Sequence, residues 1–246
     1  MQIKGSIALV TGANRGVGRA LTQALIQAGA AKVYATAREP RQLEGLVAEG
    51  QGKVVALALD VSDSAQIERA AVAAADTTVV FNNAGVWVSG SVLRSTRAEL
   101  EQDLEINYFG ALNVARAFVP VLERANKAGL VNILSVVSLA AVPALGGYSV
   151  SKAAAGSMTQ ALRAELAASN IDVYGVYPGP IDTDMVRAVE GPKTSPAVTA
   201  QAIVAGVNAG QLDIFPDPMS QTVQGIWSKD PAELVRQFAA MQITRG

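Results

Sequence analysis

The segment Ile7-Ala8-Leu9-Val10-Thr11-Gly12-Ala13-Asn14-Arg15-Gly16-Val17-Gly18 decides the fold. Its first four residues form a short continuous apolar run, the pattern of a strand buried on both faces of a parallel sheet. Thr11-Gly12 ends that run. From Arg19 to Ala28 the residues Leu21, Leu25 and Ala28 recur at helical spacing, and Gly29 stops them. Strand, glycine cluster and helix in this order open a βαβ unit. Glycines at such a turn let the backbone approach a pyrophosphate, and the helix behind them presents free N–H groups and a partial positive charge. The spacing Gly-x-x-x-Gly-x-Gly over Gly12, Gly16 and Gly18 departs from the commoner Gly-x-Gly-x-x-Gly. Asn14, Arg15 and Val17 complete the candidate nucleotide loop.

The alternation continues along the chain. Strand patterns cover Lys32 to Thr36, Val54 to Leu59, Val79 to Phe81, Leu130 to Leu134, Ile171 to Tyr177 and Asp213 to Phe215. Helices are expected after Pro40, from Asp63, from the capping box Thr96-Arg97-Ala98-Glu99 to about Arg124, from Tyr148 to about Ala168, from Thr199 to Asn208 and from Asp230. Pro120 is expected to kink the longest of them. The pattern predicts an α/β protein with one doubly wound, Rossmann-type parallel sheet of about seven strands, helices on both faces, and a single domain over residues 1–246. Met185 to Val198 contains Gly191, Pro192 and Pro196, and is expected to be a mobile loop over a site.

Composition narrows the chemistry. Half of the residues are hydrophobic and 17% are charged, enough apolar material for a large core. A net charge of -1 gives no electrostatic footprint for nucleic acid or an anionic membrane. The chain has no cysteine and no histidine, so thiol nucleophiles, Ser-His triads and nearly all zinc sites are excluded, and no metal site is expected. Tyr, Lys, Asp and Glu remain for proton transfer. Apolar-rich stretches such as Val136 to Leu145 are too short to span a bilayer, which takes roughly 20 residues. The first residues lack a signal-peptide pattern, and a cytoplasmic protein is expected.

Further candidates sit where the strand patterns end. After the second strand the chain reads Ala35-Thr36-Ala37-Arg38, with no acid to hold a ribose 2′-OH. Arg38, with Arg15 from the glycine loop, could bind a 2′-phosphate through paired hydrogen bonds, favouring NADP(H) over NAD. Asp60-Val61 could meet an adenine amine, although an Asp after a strand also serves as a turn or cap residue. Asn83, Ala84 and Gly85 close the fourth strand at the sheet edge where ligands of such folds lie, and the Asn82 and Asn83 amides could equally tie backbone together. Tyr148 and Lys152 stand four apart at a helix start and therefore share one face. A neighbouring ammonium is expected to pull the phenol below its usual pKa of about 10, making it a usable acid.

These motifs in this order resemble the short-chain dehydrogenase/reductase family over almost the whole length. Thr-Gly-x-x-x-Gly-x-Gly falls on Thr11 to Gly18, Asn-Asn-Ala-Gly on Asn82 to Gly85, Tyr-x-x-x-Lys on Tyr148 to Lys152, and Pro-Gly on Pro178-Gly179. The resemblance implies a catalytic serine thirteen residues before the tyrosine, which selects Ser135 over Ser138. It implies that Asn107 belongs to a proton relay, and that Thr183 and Ile181 contact the nicotinamide amide. The implied reaction moves hydride between nicotinamide and a carbonyl carbon. Tyr148 would give the proton, Ser135 would bind the oxygen, and Lys152 would lower the tyrosine pKa and grip the ribose. Ala70 to Val80 is abbreviated relative to many members of the family.

Trp87, Leu139, Leu145, Met185 and Val189 could line an apolar pocket for an uncharged, hydrophobic ketone or secondary alcohol, or could belong to the core. An NAD-dependent alcohol dehydrogenase of the same family is one alternative. A non-catalytic NADP-sensing regulator is another, and its sign would be loss of Ser, Tyr or Lys. The helices Thr96 to Arg124 and Tyr148 to Ala168 resemble the family's subunit-pairing helices. Their alanine-rich faces suit close packing, and a homotetramer is expected, with a homodimer as second choice.

Overall fold

The computed structural model describes residues 1–187 and 189–241. Residues 242–246 of the expected domain, and Ala188 of the expected loop, lie outside the described residues. The chain runs β1 (Ile7–Val10), α1 (Gly16–Gln27), β2 (Lys32–Ala37), α2 (Glu44–Glu49), β3 (Val54–Ala58), α3 (Ser64–Ala73), β4 (Val79–Asn82), α4 (Arg97–Leu104), α5 (Ala111–Leu122), β5 (Ala128–Ile133), α6 (Gly146–Glu165), β6 (Ile171–Val176), α7 (Pro196–Asn208), β7 (Asp213–Ile214), α8 (Pro218–Trp227) and α9 (Pro231–Ala239). The seven strands form one sheet in the order β3-β2-β1-β4-β5-β6-β7. Every pairing is parallel, and Leu9 of β1 lies opposite Tyr34 of β2 and Val80 of β4.

The period of two along each strand explains why both faces are covered. Ala8 and Val10, with Val79 and Phe81, turn to one face and pack with Leu21 and Leu25 of α1 and Ile203 and Val207 of α7. Leu9 and Val80 turn to the other and meet Ile67 of α3 and Val114, Phe118 and Leu122 of α5. A side chain such as Phe118, fully buried, contributes about 1.5–3 kcal/mol by leaving water. A smaller cluster joins Val136, Val137, Val142 and Leu145, after β5, to Val223 of α8 and Leu234 and Phe238 of α9. That cluster fixes the C-terminal helices beside the sheet's carboxyl edge.

Two expectations change. The helix expected from Thr96 to Arg124 is α4 and α5 joined by a π-helical turn over Glu105–Gly110, with Asn107 inside it. Such turns recur where a helix must aim a side chain out of register. Pro120 lies inside α5, which continues to Leu122, and its ring nitrogen has no hydrogen to donate to the Arg116 carbonyl. Helix α8 was not expected. Asp217 caps it by accepting from Ser220 N at 2.9 Å, with Pro218 at its first position.

Candidate active site

Strand order reverses between β1 and β4, and the loops leaving their carboxyl ends diverge there to leave a crevice. Gly12 and Gly16 hold φ of +65° and +55°, values that glycine tolerates and other residues seldom adopt. A Cβ on Gly18 would lie 2.3 Å from Gly12 O and 2.5 Å from Asn83 Nδ2, so only glycine lets α1 start this close to β4. Asn83 Nδ2 donates to Thr11 O at 2.8 Å and Gly12 O at 3.2 Å, and Thr11 Oγ1 accepts from the amides of Asn83 and Ala84. The amides that follow β4 therefore tie the glycine loop in place. Asn82 Nδ2 likewise donates to Asn132 Oδ1 at 2.9 Å.

The crevice opens into a cleft of about 760 Å³. It is lined by Gly12, Asn14, Arg15, Gly16, Val17 and Gly18, by Arg38, Asp60 and Val61, by Asn83, Ala84 and Gly85, and by Tyr148, Lys152, Pro178, Gly179, Ile181 and Thr183. Every residue expected at a cofactor site thus faces one space. The cleft also takes in Gln42, which sequence reasoning missed; its Oε1 accepts from Asn14 Nδ2 at 2.9 Å. Arg38 is exposed at the cleft, and Arg15 reaches Asp184 only at 3.8 Å. Asp60 Oδ1 accepts from Ser62 N at 3.0 Å and Ser62 Oγ at 2.7 Å, so it serves its own turn as well as lining the cleft.

Ser135, Tyr148 and Lys152 line this cleft, whereas Asn107 is not part of its lining. Lys152, 5% exposed, donates from Nζ to Ile133 O at 2.9 Å, and Nζ is 5.9 Å from the centre of the Tyr148 ring. Asn107 Oδ1 accepts from Val86 N at 2.9 Å, and its Nδ2 donates to Val86 O at 2.8 Å and Ser151 Oγ at 2.9 Å. A Cβ on Gly85 would stand 3.0 Å from Asn107 Oδ1 and 3.5 Å from Lys152 Nζ, so this glycine keeps the amide and the ammonium facing one another. Ser135 Oγ accepts from Val137 N at 3.3 Å; Ser138 Oγ instead accepts from Ser135 N at 3.3 Å and closes the turn.

The tyrosine shift runs opposite to expectation. Burial pushes the Tyr148 phenol well above its usual range, the Asp103 carboxylate adds to the rise, and the Ser135 hydroxyl opposes it. Lys152, whose Nζ donates to the Ile133 carbonyl, is not among the groups that shift the phenol. Lys152 itself is pulled down to about 8 by burial, against Asp103. The phenol is therefore held protonated, the form a donor needs.

A second cavity, of about 100 Å³, adjoins the cleft and shares Ser135, Tyr148, Gly179, Met185 and Val186 with it. Trp87, Leu145 and Val189 line it as expected, together with Val142, Met219 of α8, Phe238 of α9 and Met241. Trp87 donates its indole N–H to Ser89 O at 2.8 Å, leaving its ring 6.3 Å from that of Tyr148. Leu139 does not reach this wall. It packs between the cluster of Leu134, Ala155 and Tyr177 and that of Val136, Val142 and Leu145. Among the described residues no helix is long and apolar enough to cross a membrane, and no acidic cluster could hold a metal ion.

Residues 6–193 match the model of the short chain dehydrogenase family. A short chain dehydrogenase from Burkholderia cenocepacia, solved in complex with NADP, superposes with a TM-score of 0.91 at 38% identity, over 98% of this chain and 100% of that one. The 3-oxoacyl-acyl-carrier-protein reductase FabG of Thermotoga maritima is 33% identical over 76% of this chain and 78% of its own. The 3-ketodihydrosphingosine reductase of Bacteroides thetaiotaomicron is 32% identical over 72% of this chain, a match that spans 64% of that reductase. The fold, the cleft and these similarities lead to one conclusion: the chain belongs to the short-chain dehydrogenase/reductase family and is an oxidoreductase with a Rossmann-type fold for a nicotinamide cofactor.

Proposed function

We propose that the protein is an NADPH-preferring carbonyl reductase, working in the reverse direction as an alcohol dehydrogenase, on uncharged hydrophobic ketones. One observation carries this reading: Ser135 and Tyr148 stand where the cofactor cleft and the apolar cavity meet. The residues present fit a dinucleotide, since the glycine loop and the N-terminus of α1 line a cleft that has the volume for it. When bound, the nicotinamide supplies or takes up a hydride. Arg15 and Arg38 would hold the 2′-phosphate, Asp60 and Val61 the adenine, Lys152 the nicotinamide ribose, and Ile181 and Thr183 the nicotinamide amide.

At the carbonyl, Tyr148 would deliver its proton to the oxygen as negative charge develops there, with Ser135 as second donor. Such general acid catalysis is worth about 10²–10⁴-fold, and the fixed donor adds electrostatic stabilisation. The Lys152 ammonium, 5.9 Å from the ring centre, would stabilise the resulting phenolate, and Asn107, near Lys152 beside Gly85, would be the route by which the proton is replaced. The apolar wall of Trp87, Val142, Leu145 and Phe238 favours a hydrocarbon substituent over a charged one. Phe109 of the π-turn and Val150 of α6 are exposed apolar side chains on the elements expected to pair subunits, in keeping with a homotetramer or homodimer. The test is to compare NADPH and NADH oxidation over a ketone panel. A strong NADH preference, or activity confined to charged substrates, would defeat the reading.

A further inference from the structure

Asp103, in the last turn of α4, is fully buried and takes no part in the reaction just described. One carboxylate oxygen accepts from Val88 N at 2.9 Å; the other accepts from Ser89 N at 3.1 Å and from the Ser89 hydroxyl at very short range. Both oxygens acting as acceptors is the arrangement of an ionised carboxylate. No lysine or arginine pairs with it among the described residues. An unpaired buried charge is costly, so its surroundings should reveal what it offsets.

One helical turn later Asn107 grips Val86 through both its N–H and its C=O. Asp103 and Asn107 together hold the backbone of residues 86–89 as a strap, with Trp87 between the two anchor points and its ring near Tyr148. Ser89 presses on the first turn of α6, since a Cβ on Gly147 would lie 2.1 Å from Ser89 Oγ, and Gly147 N donates to Gly90 O at 3.2 Å. The next residue is Tyr148. The groups around Lys152 are the Tyr148 phenol on its own helix, the Ile133 carbonyl of β5 and Asn107 beside Gly85, while Asp103 of α4 acts on it through its charge. Among the described residues, Asp103 is the acidic side chain whose charge acts on Lys152.

We propose that Asp103 is a positioning residue for proton transfer: it clamps the strap of residues 86–89 onto the start of α6 and places a buried negative charge behind the turn that carries Tyr148 and Lys152. The inference rests on reading Tyr148 and Lys152 as the proton-transfer pair. It agrees with the direction in which Asp103 acts on Lys152, against burial.

The test is ¹⁵N NMR titration of Lys152 in the cofactor-free protein, assigned by comparison with Lys152→Met, run beside kcat and NADPH affinity. In Asp103→Asn the Lys152 titration should move about one pH unit toward acid, the scale expected of one buried charge. The kcat should fall about tenfold at neutral pH with NADPH affinity unchanged. An unmoved Lys152 titration would overturn the proposal. Because the titration needs no turnover, it stands apart from the catalytic reading, which falls separately if Tyr148→Phe stays active. Should Asp103→Asn fail to fold, Asp103→Glu keeps the charge but displaces the strap: Lys152 should titrate as in wild type while kcat drops several-fold. A moved titration, or a wild-type kcat, in Asp103→Glu would count against it.

Discussion

Asp217 accepts the amide hydrogen of Gly179 at 2.8 Å, while its other oxygen accepts from Ser220 N at 2.9 Å. One buried carboxylate thus ties the turn after β6, which lines the cofactor cleft, to the first turn of α8, which carries Met219 into the apolar cavity. Replacing it with Ala removes a helix cap, at about 1 kcal/mol, and leaves the Gly179 N–H without this acceptor, at about 1–3 kcal/mol more. Asp217→Ala should therefore lower Tm by about 4–16 °C in a protein of this size and raise KM for ketone and cofactor together. Calorimetry and steady-state kinetics would check both. An unchanged Tm would mean that the bond contributes nothing.

Cofactor preference should reside in the two arginines. A charge-assisted hydrogen bond is worth about 1.5–3 kcal/mol, so Arg38→Ala should raise KM for NADPH about 10- to 100-fold and leave KM for NADH nearly alone. Arg15→Ala should act in the same direction. Its ion pair with Asp184, long and exposed, contributes little that would be lost. Equal losses with both cofactors would show that the arginines act on the fold and not on a 2′-phosphate.

Stability of the cofactor-free protein should carry a pH signature of Lys152. Its folded pKa, about 8, lies below the usual value of 10.5, so between these limits the unfolded chain binds a proton that the native state does not. Unfolding free energy then rises with pH across that window, and below pH 8 the cost of a buried charge is fully present. The gain is on the order of 2–3 kcal/mol. Above pH 10 it is opposed, because the raised phenols of Tyr148 and Tyr174 stay protonated in the fold after they ionise in the unfolded chain. Denaturant melts at pH 7.5 and 9.5 should show this rise in wild type and lose it in Lys152→Met. Parallel curves for the two proteins would contradict it.

Much of this architecture is legible in local sequence because each strand is buried on both faces and each helix on one, so residue periodicity alone marks Ile7–Val10 and Gly16–Gln27. The cleft is legible for a related reason: backbone geometry at Gly12, Gly16 and Gly18 restricts what can stand there. The direction of the Tyr148 shift is not, since it depends on burial and on Asp103, neither of which a spacing of four residues reveals. Asp103 lies in a helix whose other charged residues are exposed or half-buried, and nothing local separates it from Glu101. The π-turn at Asn107 likewise follows from a tertiary bond to Val86. Helix α8 could have been found, because Asp217-Pro218 is a start signal, but its short apolar pattern lies hidden between turns.

The apolar cavity should set substrate size. Val142, 2% exposed, faces a space of only about 100 Å³, and a phenylalanine there would fill much of it. Val142→Phe should raise KM for bulky hydrophobic ketones at least tenfold, since a single misfit in a packed pocket costs about 1–3 kcal/mol. Small ketones should lose less, and NADPH affinity should be unchanged by fluorescence titration. A uniform loss across the ketone panel would argue that substrate binds elsewhere.

The most direct measurement is turnover by Tyr148→Phe, which keeps the ring against Trp87 and removes only the hydroxyl. With saturating NADPH and the best ketone of the panel, kcat should fall by about 10²–10⁴-fold or more while NADPH still binds with near wild-type affinity. Ketone reduction at a wild-type rate in that variant would contradict the assignment of Tyr148 as the proton donor.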